Sequence, residues 1–119
     1  MRFILAATTA LMLSTAHAEE VAFPPDVIKT QAFRNVEFMV LAYVANDTCK
    51  FGLNPRAVAE YAEQQADEVN LTLEQERVIW DFNGKLAVDA LASAGQRYCK
   101  NLWDTLEAAF GEKLLKMKK

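Results

Sequence analysis

Apolar residues recur at helical intervals along most of the chain, and polar breaks separate the segments in which they do so. In residues 27–46, which contain neither glycine nor proline, the apolar positions follow i, i+4 and i+8 spacing. Two prolines and Asp26 precede this segment, and an acidic side chain there complements the positive end of a helix dipole. Residues 38–44 are nearly all apolar, so we expect this first helix to be covered on more than one side.

A second helix is predicted over residues 55–69. Asn54 followed by Pro55 combines an N-cap with proline at the first helical position. Apolar side chains occupy one side of this segment and carboxylates the other, so we expect the helix to lie on the outside of the molecule.

A third helix is predicted from residue 73 towards Cys99. Thr72 and Gln75 fit a capping box, in which the side-chain oxygen of each residue accepts a hydrogen bond from the backbone N–H of the other. Four residues lie near one line of this helix and are expected to form its apolar stripe: Ile79, Phe82, Leu86 and Ala90.

The end of the chain leaves one question of topology open. An apolar stripe over residues 99–110 leads to Gly111, a C-terminal cap, and it either extends the third helix or turns back as a fourth. The Lys-rich segment 113–119 is expected to fray, either as a solubilising tail or in contact with an anionic membrane surface. Period-two alternation is absent throughout, so the predicted fold class is all-α, a three- or four-helix up-down bundle.

The N-terminus has the layout of a secretory signal. A basic start, an apolar run over residues 3–13 and Ala16-His17-Ala18 predict a signal peptide, 1–18, cleaved after Ala18. The alternative, a membrane anchor, would need about 20 apolar residues. Cleavage would leave a single helical domain, 19–119, in the periplasm or outside the cell.

Cleavage would also change the chemistry that is available to the protein. His17 is the only histidine, so the mature chain would lack the imidazole that Ser/His/Asp triads and His-Glu-x-x-His zinc sites require. Arg2 would leave as well, which turns 13 basic and 16 acidic side chains into 12 and 16, a net charge of −4. That balance provides no electrostatic reason to bind nucleic acid. We therefore expect no enzyme, no metal and no cofactor.

The two cysteines, Cys49 and Cys99, are predicted to form a disulfide. An even pair in an oxidising compartment is most simply a bridge, whereas metal and redox pairs usually have close spacing such as Cys-x-x-Cys. In an up-down-up path both residues arrive at the same end of the bundle, so the pairing agrees with the predicted topology.

The densest charge feature is a run of acidic side chains from Glu60 to Glu76 with no Lys or Arg between them. A solvated helix surface is the simplest interpretation, and a calcium site or a paired-carboxylate glycosidase centre is another. The interpretation with a function that we retain is an acidic docking face for a protein partner. Its residues are Glu60, Glu63, Asp67 and Glu68.

Aromatic residues are concentrated in the second half of the chain, at helical spacing. They are Trp80, Tyr98, Trp103 and Phe110. Such residues most often belong to a core, and a ligand groove between helices is the alternative.

The spacing of Cys49 and Cys99, together with Trp103-Asp104 ahead of a Lys-rich end, resembles the HdeA family of periplasmic acid chaperones. The resemblance covers that spacing and the C-terminal part only, and a long apolar helix precedes Cys49 where the family has a short entry. It implies an acid-stress chaperone. Three functions thus remain: a binding protein of the inhibitor, immunity or envelope accessory type, an acid chaperone, and a carboxylate-dependent hydrolase.

Overall fold

The computed structural model describes residues 22–119, and all regular structure in that range is helical. The predicted signal peptide, 1–18, lies outside the described residues. The helices are α1 (Pro25–Ile28), α2 (Gln31–Cys49), α3 (Pro55–Glu68), α4 (Leu73–Ala94), α5 (Gln96–Phe110) and α6 (Glu112–Lys116). The predicted all-α class is confirmed, as is the disulfide between Cys49 and Cys99.

The N-caps predicted from the sequence are present at the starts of α3 and α4. The Asn54 side chain accepts from the Arg56 backbone N–H at 3.0 Å. Thr72 and Gln75 form the reciprocal pair, with the Gln75 N–H donating to the Thr72 hydroxyl at 3.1 Å and the Thr72 N–H donating to the Gln75 side chain at 2.8 Å. These starts are local in sequence, which is why pattern alone located them.

The first long helix differs from the predicted range of 27–46 at both ends. Thr30 has an extended backbone and its hydroxyl accepts from the Phe33 N–H at 3.1 Å, so a new helix, α2, begins at Gln31. At the other end the helix continues past residue 46 to Cys49, and Lys50 ends it with a left-handed φ of 57°.

Asn46 explains why the polar residues near the end of α2 do not break it. Its side chain is buried, and its amide nitrogen donates to the Leu53 carbonyl at 2.8 Å while its oxygen accepts from the Leu53 N–H at 3.0 Å. A buried amide that is satisfied in this way ties the loop to the helix. Asn46 therefore makes a tertiary contact and does not end the helix.

Helix α2 lies at the centre and contacts α3, α4 and α5. Its Met39, Ala42 and Ala45 have no exposed surface, and they pack with α3, α5 and α6 in one core cluster. Val36 and Val40, on the same helix, pack in a second cluster with side chains that include Ile79 of α4. The all-apolar middle of the helix is therefore covered on more than one side, as predicted.

Contacts at the two ends of α2 give the relative directions of the neighbouring helices. Near its start Asn35 donates to Gln65 of α3 at 2.7 Å, whereas near its end Asn46 binds the segment that precedes α3. Helix α5 also runs opposite to α2, because Cys49 is bonded to Cys99 whereas Phe38 meets Phe110 with ring centroids 6.1 Å apart. Helix α5 is thus antiparallel to α2, and Gly95, at φ 55°, separates it from α4.

The apolar line expected on the third helix is only partly buried. Ile79 is 3% exposed, but Phe82 is 62% and Leu86 47% exposed. The α4 face that packs against α2 contains Ile79, Asn83 and Ala87 instead. Asn83 can be buried there because its side chain donates to the Ile79 carbonyl of its own helix at 3.0 Å.

The frayed basic tail expected over residues 113–119 is not what the structure shows. Leu114 is fully buried and Met117 is 6% exposed, so this segment contributes to the main core cluster. The Asn54 N–H donates to the Met117 carbonyl at 2.8 Å, and the Lys119 N–H donates to the Gly52 carbonyl at 2.9 Å. The prediction considered the lysines alone, whereas the apolar residues between them hold the segment in place.

Candidate functional site

The four residues predicted as a docking face are exposed on α3. Glu60, Glu63 and Asp67 follow one another at intervals of three and four residues, so they share one side of the helix. Glu68, the next residue along the helix, accepts a hydrogen bond from the Gln65 side chain at 2.7 Å. The structure therefore places Glu60, Glu63 and Asp67 on one side of α3, and Glu68 lies about 100° from Asp67 around the helix axis.

Within the described residues, one ion pair reaches this surface. The Arg56 Nε lies 3.5 Å from the Glu60 carboxylate, on side chains that are 87% and 66% exposed. Ion pairs between side chains as exposed as these contribute little to the stability of the fold, because solvent screens them. The negative charge of Glu63 and Asp67 is not offset by that arginine.

Glu76 on α4 joins the acidic surface from a neighbouring helix. Burial, a hydrogen bond with Glu63 and repulsion by Glu63 and Asp67 together raise the pKa of Glu76 from 4.5 to about 7. Near neutral pH this carboxyl is therefore protonated in a large fraction of molecules. We call Glu60, Glu63, Asp67, Glu68 and Glu76 the acidic face.

Sequence reasoning placed Glu76 in the acidic run but not in the docking face. The capping box at Thr72 was the available signal, because it places Glu76 in the first turn of α4. Only the packing of α4 beside α3 shows that this turn faces Glu63 and Asp67.

The acidic face can share a proton between carboxyl groups and can accept hydrogen bonds from a cationic side chain. Among residues 22–119, no three His, Cys, Asp or Glu side chains are arranged to hold a metal ion. The chemistry that the geometry favours is thus proton exchange and the binding of a cation such as lysine or arginine.

The disulfide connects the end of α2 to the first turn of α5. The two sulfurs are 2.08 Å apart and the Cα atoms 5.3 Å apart. Both cysteines of the chain are consumed in this bond, so the metal-pair and redox-pair alternatives have no free thiol to use in this state.

The aromatic residues singled out in the sequence pack against the main core cluster while keeping part of their surface exposed. Tyr43 and Trp80 meet edge to face with centroids 5.1 Å apart, and Trp103 lies at the same distance from Phe51. Trp80 and Trp103 thus pack against the core, although Tyr43 is 41% exposed. Phe110 in addition borders a cavity, which is described below.

None of the described helices combines the length and apolar character needed to cross a membrane. Comparison of the chain with protein-family models, curated proteins and solved structures finds no match. The resemblance to the HdeA family stays a prediction.

Proposed function

We propose that this is an exported, non-catalytic helical protein that binds a basic protein partner through the acidic face. The observation that carries the proposal is the meeting of carboxyl groups from two helices, Glu63 and Asp67 of α3 and Glu76 of α4, whose repulsion adds to the effect of burial in raising the pKa of Glu76. Like charges held this close oppose ionisation. A lysine or arginine from a partner would relieve that repulsion, so the free protein holds a surface that a cationic group stabilises.

Export is proposed from the secretory layout of residues 1–18 and from the disulfide, since disulfides persist mainly in oxidising compartments. The partner type is an inhibitor target, a toxin-like target of an immunity protein, or an envelope component. In each case the acidic face supplies steering towards a positive surface and a salt-dependent affinity.

The scaffold suits a rigid binding face. Helices α3 and α5 each run antiparallel to α2, which favours the up-down bundle that the sequence predicts. A chain of side-chain hydrogen bonds also links α2 to the acidic face, from Asn35 to Gln65 at 2.7 Å and from Gln65 to Glu68 at 2.7 Å. Because fewer rotamers are left to immobilise, binding at Glu68 would lose less entropy.

The test uses an arginine-rich peptide as the probe and two variants that each replace three carboxylates with amides. Glu63→Gln/Asp67→Asn/Glu76→Gln neutralises the acidic face, and Asp104→Asn/Glu107→Gln/Glu112→Gln neutralises three carboxylates elsewhere. Calorimetry at pH 7 should show binding weakened about tenfold in the first variant and much less in the second. Wild type should also release protons on binding, because a bound cation lowers the pKa of Glu76, and Glu76→Gln should release fewer. Equal weakening in both triple variants would show that net charge alone attracts the peptide and would refute the proposal.

A carboxylate-dependent hydrolase is the second candidate, and the same group favours it. A glutamate whose pKa is about 7 has the property of a general acid at neutral pH. Turnover of a glycoside that is lost in Glu76→Gln and kept in Glu107→Gln would establish this function in place of ours.

The acid-chaperone alternative receives no support from Glu76. Protonation of its carboxyl removes the repulsion from Glu63 and Asp67, so this contact becomes more favourable as the pH falls from 8 towards 5. A chaperone activated by acid needs groups whose protonation loosens the fold. Suppression of client aggregation at pH 2–3 is the assay that would favour the chaperone.

A further inference from the structure

A cavity of about 440 Å³ lies where the start of α2, the middle of α3 and the end of α5 meet. Its volume is in the range of small-molecule sites, about 300–1,000 Å³. The acidic face takes no part in its lining.

One wall is aromatic. Phe110 meets Phe38 with ring centroids 6.1 Å apart and meets Tyr61 at 5.9 Å, and its ring is nearly perpendicular to both, at 87° and 89°. All three side chains are partly buried and line the cavity. Three rings arranged in this way offer an apolar surface against which the flat ring of an aromatic ligand can pack.

The rim of the cavity is positively charged, because Arg34 of α2 and Lys113 of α6 line it there. None of the ion pairs formed within residues 22–119 includes either of them. The Lys113 ammonium lies 5.1 Å from the centre of the Tyr61 ring, a cation–π contact that holds it beside the aromatic wall. The cavity thus has two cations next to its apolar surface.

Amide groups complete the lining. Gln31 donates one N–H to the Asn35 side chain at 2.9 Å, and Asn35, which is 9% exposed, donates to Gln65 at 2.7 Å. A primary amide has two N–H groups, so Gln31 keeps a donor beyond its bond to Asn35. Gln31 and Arg34 also belong to the first turn of α2, where the helix dipole favours negative charge.

We propose that this cavity binds a small aromatic anion, with a carboxylate or sulfonate held by Arg34 and Lys113 and the ring packed against Phe38, Tyr61 and Phe110. Both ionic partners at the rim are cationic, so the site discriminates against aromatic cations. This function is separate from the acidic face, and either site can bind without the other.

The test compares two fluorescent probes that differ only by an anionic group. These are 8-anilinonaphthalene-1-sulfonate and the neutral N-phenyl-1-naphthylamine. We expect the sulfonate to bind to wild type with one site, and Arg34→Gln/Lys113→Gln to weaken it at least about tenfold, because hydrogen bonds to charged groups are lost. Binding of the neutral probe should change little in this variant. Ala109→Trp, which fills the cavity from its exposed edge, should abolish the binding of both probes.

Matched controls separate the cavity from other surfaces. Lys85→Gln removes an exposed lysine on α4, and Phe82→Ser removes the exposed phenylalanine of the same helix. Both variants should bind the sulfonate as wild type does, and so should Glu63→Gln/Asp67→Asn/Glu76→Gln. The proposal fails if Arg34→Gln/Lys113→Gln binds the sulfonate unchanged, if Phe82→Ser abolishes binding, or if wild type binds neither probe.

Discussion

Glu76 and Glu63 come from different helices, and their contact gives the acidic face its property at the scale of single residues. A carboxylate on an exposed helix normally loses its proton well below neutral pH. Burial together with Glu63 and Asp67 raises the pKa of Glu76 to about 7, so the charge of the acidic face depends on the pH of its surroundings.

Glu76→Gln should stabilise the protein at pH 8 by about 1 kcal/mol, a value discounted because the carboxyl group is only partly buried and solvent screens it. The folded-state pKa, about 7, lies above the ordinary 4.5, so wild type holds this proton more tightly when folded. The favourable contribution is complete below the unfolded-state pKa and is lost as the pH rises through 7. The advantage of the variant should therefore shrink as the pH falls towards 5.

Urea unfolding at pH 5 to 8 measures this effect, and Glu74→Gln, in the same first turn of α4, is the matched control. Glu74→Gln should show little dependence on pH relative to wild type. An equal gain in both variants at pH 8 would mean that general charge reduction, and not the contact with Glu63 and Asp67, is responsible.

At the scale of elements, the starts of α3 and α4 were read correctly from local caps, whereas the end of α2 was misread because a polar side chain there has a distant partner. The caps at Asn54 and Thr72 act on N–H groups two or three residues away. Asn46 resembles a turn former but binds Leu53 across the α2–α3 loop. No local pattern distinguishes these two uses of a polar residue.

The C-terminal segment provides a direct test at this scale, because adjacent leucines have opposite environments. Leu114 has no exposed surface and Leu115 is 55% exposed. Leu114→Ala should reduce the free energy of unfolding by about 3 kcal/mol, since it leaves a cavity in the core, whereas Leu115→Ala should change it by less than about 0.5 kcal/mol. Chemical denaturation of both variants measures the difference. Similarly small changes in the free energy of unfolding of both variants would indicate that the tail is frayed, as the sequence predicts.

At the scale of the whole molecule, the disulfide closes a loop that contains α3 and α4. Cys49 and Cys99 are 50 positions apart, and α2 contacts every long helix that the bridge encloses or joins. The bond therefore restricts the unfolded chain across most of the described fold.

Reduction of the disulfide should lower the free energy of unfolding by about 4 kcal/mol, the entropy expected for a loop of this length. Cys49→Ser/Cys99→Ser should show the same loss without reductant, and adding reductant to that variant should have no further effect. Denaturation curves with and without reductant give both values. A reduced wild type as stable as the oxidised protein would show that the bridge is dispensable for the fold.

The sequence by itself determined the features that depend on neighbouring residues or on composition. Apolar spacing and caps specified an all-α chain, because helix formation responds to residues within one or two turns. The disulfide followed from an even pair of cysteines that the predicted topology brings to one end.

Only the tertiary structure decided which surfaces exist. It turned α4 so that Ile79 is buried and Phe82 exposed, it anchored the C-terminal segment through Leu114, and it placed Glu76 against Glu63. Each outcome depends on the side chains of another helix. A wide apolar stripe allows a helix to pack at several angles, so the stripe alone does not determine which of its residues are buried. The acidic face and the aromatic cavity are both formed between helices, so no single segment of the sequence contains either one.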